Sequence, residues 1–303
     1  MQQKGGIFDS VLKNRNNWRV QIRFTQVTRT PEGKPVFSEY AFAADTSEYF
    51  YPASAVKFPI AVLALEEIGK LSEKGVDRNS MMITEAADDL QSEVYNEPGS
   101  KNGWPSVANY IEKIFLVSDN DAFNRLYELL GRDRINQLLE EKGYRHSQIT
   151  HRLSLSRTLQ QNAEVNPIRF LDSNATQLFN LPARTSKAAL KSSTTFLGKG
   201  YYENGELLPQ PFDFSYKNKF ALDDLHRFMQ AVIFPEAVPA PARFELKDDD
   251  RNFLLRTMSV YTHQSDMPLY SHIDLADSVQ KCFSAAAGVG HHFPNFRVFS
   301  KSG

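Results

Sequence analysis

The first regular pattern in the chain is a strict alternation of apolar and polar residues over 18–24, WRVQIRF. Such alternation predicts a half-buried strand whose inner face includes Ile22 and Phe24. A turn signal follows at 30–34, TPEGK, and residues 35–45 predict the returning strand of a hairpin. The first part of the chain therefore predicts an antiparallel pair of strands.

The hydrophobic period then changes to about 3.6 residues, which is typical of helices. Phe58 and Val62 lie on one stripe of a predicted helix. Pro59 requires this helix to begin near Ala55 or Val56, because proline is tolerated only in the first turn. A further helix is predicted with Pro105 in its first turn, and others before the stop glycines Gly131 and Gly143 and over 221–234 and 248–261.

The remaining stretches are less regular. Residues 145–220 contain polar clusters, 235–244 predict a proline-rich linker, and 296–303, FRVFSKSG, predict a short strand. The order of strands, then helices, then a strand predicts a mixed α/β fold. We expect one antiparallel sheet built from both ends of the chain, flanked by helices, beside a mainly helical region.

Length and composition set the scale of this fold. The chain has 303 residues, of which 41% are hydrophobic and 12% aromatic, so it can form a real core in one large or two moderate domains. We expect a discontinuous sheet domain over 1–53 and 246–303, and a mainly helical domain over 54–245.

Charge and hydropathy exclude several classes of function. The net charge is −1 and there is no basic stripe, so no nucleic-acid partner is predicted. The sequence contains no apolar run of roughly 18 residues, and no transmembrane segment is predicted. The start, MQQKGGIFDS, has no apolar h-region and does not resemble a signal peptide.

Cysteine and histidine add no candidate chemistry. The one cysteine, Cys282, cannot form an internal disulfide and is assigned no role. His291 and His292 are the only histidine cluster, and adjacent residues on a strand point apart. We therefore predict neither a metal site nor a cofactor.

The first candidate for chemistry is an S-x-x-K pattern at the start of the apolar helix. Ser54 and Lys57 are three residues apart, so their side chains lie on one helix face. A lysine in a dry setting can act as the base that activates a serine. The pattern also occurs at 10–13 and 278–281, and alone it is typical of an N-cap serine and a surface lysine. Only the copy at Ser54 follows a hairpin and opens an apolar helix.

Two further motifs each occur once. The sequence SDN at 118–120 falls between two predicted helices, and KSG at 301–303 ends the last predicted strand. Alone, the first is typical of a helix N-cap and the second of a polar strand end. A hydroxyl such as that of Ser118 can relay a proton, an amide such as that of Asn120 can hold a carbonyl, and Lys301 can hold a carboxylate.

Taken together, S-x-x-K, SDN and K-[ST]-G in this order resemble the signature of class A β-lactamases and penicillin-binding proteins. The resemblance runs from the first strand to the last residue and implies a serine β-lactamase/transpeptidase-like fold. It also implies that Ser54 is the acylated nucleophile and that Lys57 is a general base or its electrostatic helper.

The resemblance implies roles for the other two motifs as well. Ser118 would pass the proton to the leaving nitrogen, and Asn120 would bind the amide of the substrate side chain. Lys301 and Ser302 would hold the substrate carboxylate, while Gly303 lets the substrate lie against the backbone.

The first departure from the family pattern concerns deacylation. Class A enzymes carry a glutamate four residues before an asparagine in the loop after SDN, whereas here Glu164 is two residues before Asn166, and Asn162 stands at the fourth position. Two readings stay open: Glu164 reaches the site through a reshaped loop, or it is a solvated carboxylate. In the second case the acyl-enzyme would persist.

The second departure is where the sequence stops. The family's oxyanion hole uses the N–H of the nucleophile and that of the residue after K-[ST]-G, and its sheet continues beyond this strand. We therefore expect 1–303 to be an excerpt of a longer protein that lacks the closing strands and helix. A strand that begins at Phe296 would have an unpaired edge, and we expect low stability or activity.

The sequence thus predicts a serine hydrolase that opens β-lactam amides through an acyl-enzyme on Ser54. Its substrate would be a small molecule, either a β-lactam or a peptidoglycan-like peptide, and a monomer is favoured. One alternative is a penicillin-binding, D,D-peptidase-like or esterase-type protein with slow deacylation. Another is a sensor of cell-wall fragments without turnover. A periplasmic or secreted location is implied by the family resemblance alone.

Overall fold

The computed structural model describes residues 9–191, 194–271 and 297–303. Within these ranges the α-helices are α1 (Asp9–Lys13), α2 (Lys57–Gly69), α3 (Val107–Val117), α4 (Asn120–Leu130), α5 (Arg132–Glu141), α6 (Leu159–Ala163), α7 (Leu222–Ile233), α8 (Asp248–Ser259) and α9 (Pro268–Ser271). The strands are β1 (Ile22–Arg29), β2 (Pro35–Phe42), β3 (Met81–Thr84), β4 (Glu164–Val165), β5 (Ile168–Leu171), β6 (Gln177–Leu181), β7 (Arg184–Thr185), β8 (Phe196–Leu197), β9 (Tyr201–Glu203), β10 (Glu206–Leu208) and β11 (Phe212–Asp213). The predicted mixed α/β class is confirmed.

Helix α2 is the centre of the hydrophobic core. It is apolar on nearly all sides, and Phe58, Val62 and Leu65 are at most 1% exposed. It packs against α3, α4 and α5. Burying one such side chain contributes about 1.5–3 kcal/mol, so α2 is held firmly along most of its length. The predicted start is close to the observed one, since a 3-10 turn over Ala53–Val56 leads directly into α2.

The other long helices agree with their predicted positions, with one correction. Helices α4 and α5 are followed by Gly131 and Gly143, both with positive φ, as their stop signals predict. The prediction of Pro105 in the first turn of α3 is wrong. Ser106 is the N-cap of α3, and its side chain accepts a hydrogen bond from Asn109 N at 3.1 Å. A hydroxyl cap satisfies an end N–H group that proline cannot.

The predicted hairpin is confirmed, and its turn is closed by Gly33 at φ +81°. Strands β1 and β2 pair antiparallel from Ile22 opposite Phe42 to Arg29 opposite Pro35. The predicted strand bounds of 18–24 are wrong, however. Residues 18–21 precede β1, because the chain turns at Arg19 with φ +52°.

The inward face of β1 is also the opposite of the predicted one. Arg23 forms a bidentate ion pair with Asp223 of α7, and Thr25 lies 2.6 Å from His226 Nε2. Phe24 on the other face is 56% exposed. The acidic and polar side chains at the start of α7 therefore pair with the polar face of β1. As a result the polar face of the strand is turned inward and the apolar face is exposed.

The predicted strand over 296–303 is wrong for its described residues. Residues 297–303 belong to no strand, and Phe296 lies outside the described residues. Phe299 packs against the main hydrophobic core, and Ser300 N donates to Met258 O of α8 at 3.4 Å. Contact with α8 directs this segment, while β1 pairs with β2 in a two-stranded sheet.

The stretch predicted to be irregular, 145–220, contains α6 and the short strands β4–β11. Strand β5 pairs antiparallel with β3 and β6, and the remaining strands form two-stranded ladders. The linker predicted over 235–244 contains two 3-10 turns. Within the described ranges, no helix has the length and apolar character that crossing a membrane requires.

Candidate active site

The serine of the first motif lies in the 3-10 turn that precedes α2. Ser54 is partly exposed, whereas its neighbours Ala55 and Val56 are buried. The turn is tight: Ala53 has a φ of +43°, and Ala55 N donates to Pro52 O at 2.9 Å. This conformation holds the Ser54 hydroxyl at the amino-terminal end of the buried helix, where the helix dipole favours negative charge.

Lys57 is the first residue of α2 and has no exposed surface. Its Nζ donates to Ser54 Oγ at 2.9 Å and to Asn120 Oδ1 at 2.6 Å. It also contacts the Ser118 carbonyl and lies 3.1 Å from Ser118 Oγ. These partners are neutral oxygens. Lys57 therefore has a ready proton route to Ser54 on one side and to Ser118 on the other.

Burial lowers the pKa of Lys57 to about 8, and the charge of Asp119 opposes this shift only partly. Removing an ammonium group from water penalises its charged form, and neutral partners compensate for less of that penalty than a carboxylate does. Near pH 8, half of the Lys57 side chains are thus neutral and able to accept a proton.

The SDN motif is the junction between α3 and α4, as its sequence predicts. Ser118 ends α3 in the left-handed region at φ +56°, and Asp119 is the N-cap of α4, accepting from Ala122 N at 2.9 Å. A non-glycine residue in this region is strained by about 1–3 kcal/mol and persists where its surroundings fix it. Here the contacts of Lys57 with Ser118 and Asn120 fix the junction.

Lys301 reaches the same junction from the other end of the chain. Its Nζ donates to Ser118 Oγ at 2.8 Å and to Ser302 O at 2.7 Å. The hydroxyl of Ser118 therefore lies between the two lysines of the sequence motifs. Two ammonium groups around one hydroxyl make this side of the site suited to an anionic group.

Gly303 lies directly against the turn that carries Ser54. A Cβ at Gly303 would overlap Pro52 O and come within 2.6 Å of Ala55 N. Real Cβ atoms do not approach so closely, so a side chain at 303 would displace the backbone. The structure thus brings parts of all three motifs together. Ser302 takes part through its carbonyl, which accepts a hydrogen bond from Lys301 Nζ.

The described hydrogen bonds of Glu164 are to Gln160 and Arg152. Glu164 is the C-cap of α6 and the first residue of β4, and its carboxylate accepts from Gln160 Nε2 at 2.6 Å. Its carbonyl accepts from Arg152 Nη2 at 2.8 Å. Among the described hydrogen bonds none links Glu164 to Ser54 or Lys57, and its role as a deacylating base stays a prediction.

One residue of the site was missed in the sequence. Asn120 Nδ2 donates to Ser154 Oγ at 2.7 Å. Ser154 lies in an exposed polar loop after α5, and nothing in its local sequence distinguishes it from the neighbouring Ser156. Only the folded path of this loop brings it to Asn120.

In the described ranges, no group of three or more His, Cys, Asp or Glu side chains could hold a metal ion. Cys282, His291 and His292 lie outside these ranges. The described site instead combines a serine hydroxyl, a buried lysine, a second hydroxyl, an amide and a second lysine, which is a set suited to nucleophilic acyl transfer.

Comparison with known proteins identifies relatives of the chain. Residues 10–248 match the model of the β-lactamase enzyme family. No curated protein sequence matches the chain.

Solved structures that are similar to the chain include several β-lactamases. One from Streptomyces albus G is 16% identical, with 86% of this chain and 74% of that chain covered, at a TM-score of 0.40. One from Desulfarculus baarsii is 13% identical, with coverage of 82% and 67% and a TM-score of 0.39. One from Xanthomonas campestris is 16% identical, with coverage of 81% and 68% and a TM-score of 0.37.

Proposed function

Because the chain belongs to the β-lactamase enzyme family, we propose that it is a serine hydrolase that opens β-lactam amides through an acyl-enzyme on Ser54. The observation that supports this most directly is the 2.9 Å hydrogen bond from Lys57 Nζ to Ser54 Oγ. A buried lysine whose pKa lies near 8 is a competent base for that hydroxyl.

In the acylation step, neutral Lys57 accepts the proton of Ser54 while Oγ forms a bond to the carbonyl carbon of the lactam. The carbonyl oxygen becomes an oxyanion, which the amino-terminal end of the turn and α2 stabilises. When the carbonyl reforms, the C–N bond breaks and the ring nitrogen takes the proton of Ser118. Lys57 then returns its proton to Ser118, with which it is already in contact.

Substrate recognition is assigned to the polar groups around this path. Lys301 and Ser302 hold the substrate carboxylate. This negative group is attracted to the end of the site where Lys57 and Lys301 both approach Ser118. Asn120 holds the amide carbonyl of the substrate side chain, and Gly303 lets the substrate lie close to the backbone. The substrate is thus a small acyl donor with a carboxylate, such as a β-lactam or a peptidoglycan-like peptide.

Deacylation requires a base for water, and Glu164 is the candidate from the sequence. Its carboxylate accepts from Gln160, and no described hydrogen bond links it to Ser54 or Lys57. If it acts, Glu164→Gln traps the acyl-enzyme and leaves acylation unchanged. If the adduct of the unsubstituted chain is already long-lived, the protein works as a penicillin-binding, D,D-peptidase-like or sensor protein.

The test is the intact mass of the full chain against time after mixing with benzylpenicillin. An adduct that forms and then decays, while penicilloate accumulates, supports the hydrolase. The control is Ser10→Ala, since Ser10 and Lys13 repeat the motif on the exposed helix α1. An adduct lost in Ser54→Ala and kept in Ser10→Ala supports Ser54 as nucleophile, whereas an adduct that survives Ser54→Ala contradicts the proposal.

The cellular setting follows from the family and is part of the same proposal. A periplasmic or secreted location is where β-lactams and cell-wall peptides are met. A monomer is proposed, with a small-molecule substrate and no nucleic-acid partner. Fractionation of the native host and sedimentation of the purified chain test these two points.

A further inference from the structure

The orientation of the Asn120 amide is fixed by its two neighbours. Lys57 Nζ donates to Asn120 at 2.6 Å, and the atom of Asn120 that accepts is the carbonyl oxygen Oδ1. The opposite end, Nδ2, donates one of its two hydrogens to Ser154 Oγ at 2.7 Å. The second hydrogen of Nδ2 is fixed in direction by the same contacts, because the amide group is planar.

Ser154 is itself held in place by buried side chains. The amide of Asn124 clamps the preceding residue: Leu153 N donates to its Oδ1 at 2.8 Å, and its Nδ2 donates to Leu153 O at 3.0 Å. One residue earlier, the side chain of Arg152 donates to Glu128 at 2.9 Å. Asn124, Arg152 and Glu128 are each at most 5% exposed.

The backbone of Ser154 lies in the left-handed region at φ +55°. Serine is not favoured there, and such strained residues concentrate at functional sites where the surrounding structure imposes them. The hydrogen bonds of Asn124 to Leu153 and of Arg152 to Glu128 impose this conformation. The exposed Ser154 hydroxyl therefore lies within hydrogen-bond distance of Asn120.

We propose that Ser154 is a positioning residue that orients the Asn120 amide and so makes the site selective for acyl donors that carry a side-chain carbonyl. The inference rests on the proposed function, in which Asn120 is the group that binds this carbonyl. Ser154 does not touch the reacting atoms. It keeps the oxygen of Asn120 on Lys57 and the second N–H of Asn120 available to the substrate.

The role has a specific signature, because it concerns one contact of the substrate and not the reaction at Ser54. Without the Ser154 hydroxyl, Nδ2 of Asn120 loses its acceptor, and the amide is held only through its Oδ1 contact with Lys57. A substrate with a side-chain amide should then lose its advantage, while a substrate without one should be affected little.

The experiment compares acylation of Ser54 by two probes, benzylpenicillin and 6-aminopenicillanic acid. The first has a side-chain amide and the second has a free amine. The variant is Ser154→Gly, which removes the hydroxyl and suits a positive φ. We expect the ratio of the second-order acylation rates to fall about tenfold, which corresponds to the loss of one hydrogen bond of about 1.4 kcal/mol.

Two further variants separate positioning from general damage to the loop. Ser156→Gly changes another exposed serine of the same loop and should leave the ratio as it is. Ser154→Asn supplies an acceptor oxygen in a residue that tolerates positive φ, and should restore part of the preference. An unchanged ratio in Ser154→Gly, or an equal fall with both probes, overturns the inference.

Failure of the proposed function would look different. In that case neither probe would acylate Ser54 in the unsubstituted chain, and no ratio of acylation rates could be measured. If both probes acylate Ser54 and Ser154→Gly keeps their ratio, the proposed function stands and the role of Ser154 is rejected.

Discussion

Two buried lysines on neighbouring helices have opposite electrostatic settings. Lys57 on α2 is in contact with neutral oxygens, and burial lowers its pKa to about 8. Lys113 on α3 is also buried, but its Nζ lies 2.8 Å from Glu97 and 3.6 Å from Asp119. Burial acts to lower the pKa of Lys113 too, yet the hydrogen bond and the charges of these carboxylates outweigh it, and the pKa is raised. The charge of the partner, and not burial alone, decides which lysine can act as a base.

The largest effect is expected from removing the base. Lys57→Met should slow acylation of Ser54 by about 10²–10⁴-fold, which is the usual contribution of a positioned general base. The measurement is the rate of adduct formation with benzylpenicillin by intact mass. Acylation at an undiminished rate would mean that another group activates Ser54.

Lys113→Met is the matched change in the other lysine, and it should affect stability instead. Breaking a buried ion pair costs about 3–5 kcal/mol, and since the Glu97 side chain keeps 14% of its surface exposed we expect roughly 2 kcal/mol less free energy of unfolding. Urea denaturation measures this, and the acylation rate of the folded variant should be within about twofold of the unsubstituted chain. A large loss of acylation with an intact fold would contradict the assignment of Lys113 to stability and of Lys57 alone to the reaction.

Asn120→Asp should place a carboxylate beside Lys57, as Glu97 lies beside Lys113. In the unsubstituted chain acylation should rise with pH and reach half its maximum near pH 8, because the neutral lysine is the base. A carboxylate at position 120 favours the charged form, so this midpoint should move up by about 1–2 pH units. The pH profile of adduct formation is the readout, and a midpoint that stays or falls contradicts the assignment of Lys57.

Asp119→Asn should give the smallest change, in the opposite direction. Asp119 raises the pKa of Lys57 through its charge, and asparagine keeps the capacity to cap α4. The midpoint of the acylation profile should therefore fall by less than about one pH unit. An upward shift would show that Asp119 does not act on Lys57 through its charge.

Features with a strong local signal were predictable from the sequence. The hairpin turn at 30–34, the buried stripe of α2 and the glycine stops after α4 and α5 were each marked by residues whose chemistry allows few alternatives. The proximity of Ser54 and Lys57 followed from their spacing on one helical turn. Their closeness to the SDN motif was a prediction of the family resemblance, and the hydrogen bonds of Lys57 agree with it.

Features that depend on distant contacts were not predictable. The strands between 164 and 213 are two to five residues long, too short for a period to emerge. The inner face of β1 was predicted the wrong way round, because its choice depends on Asp223 and His226 about 200 residues later. Ser154 was missed for the same reason, since the clamp that delivers it is made by Asn124 on another element.

The two lysine contacts of Ser118 also determine where its own hydrogen points. A hydroxyl oxygen has two acceptor positions and one hydrogen, and Lys57 and Lys301 donate to it from two directions. With both acceptor positions occupied, the O–H bond is left with the direction away from both ammonium groups. The fold thereby gives the Ser118 hydroxyl a fixed polarity, so that a proton can leave it in only one direction before any substrate is bound.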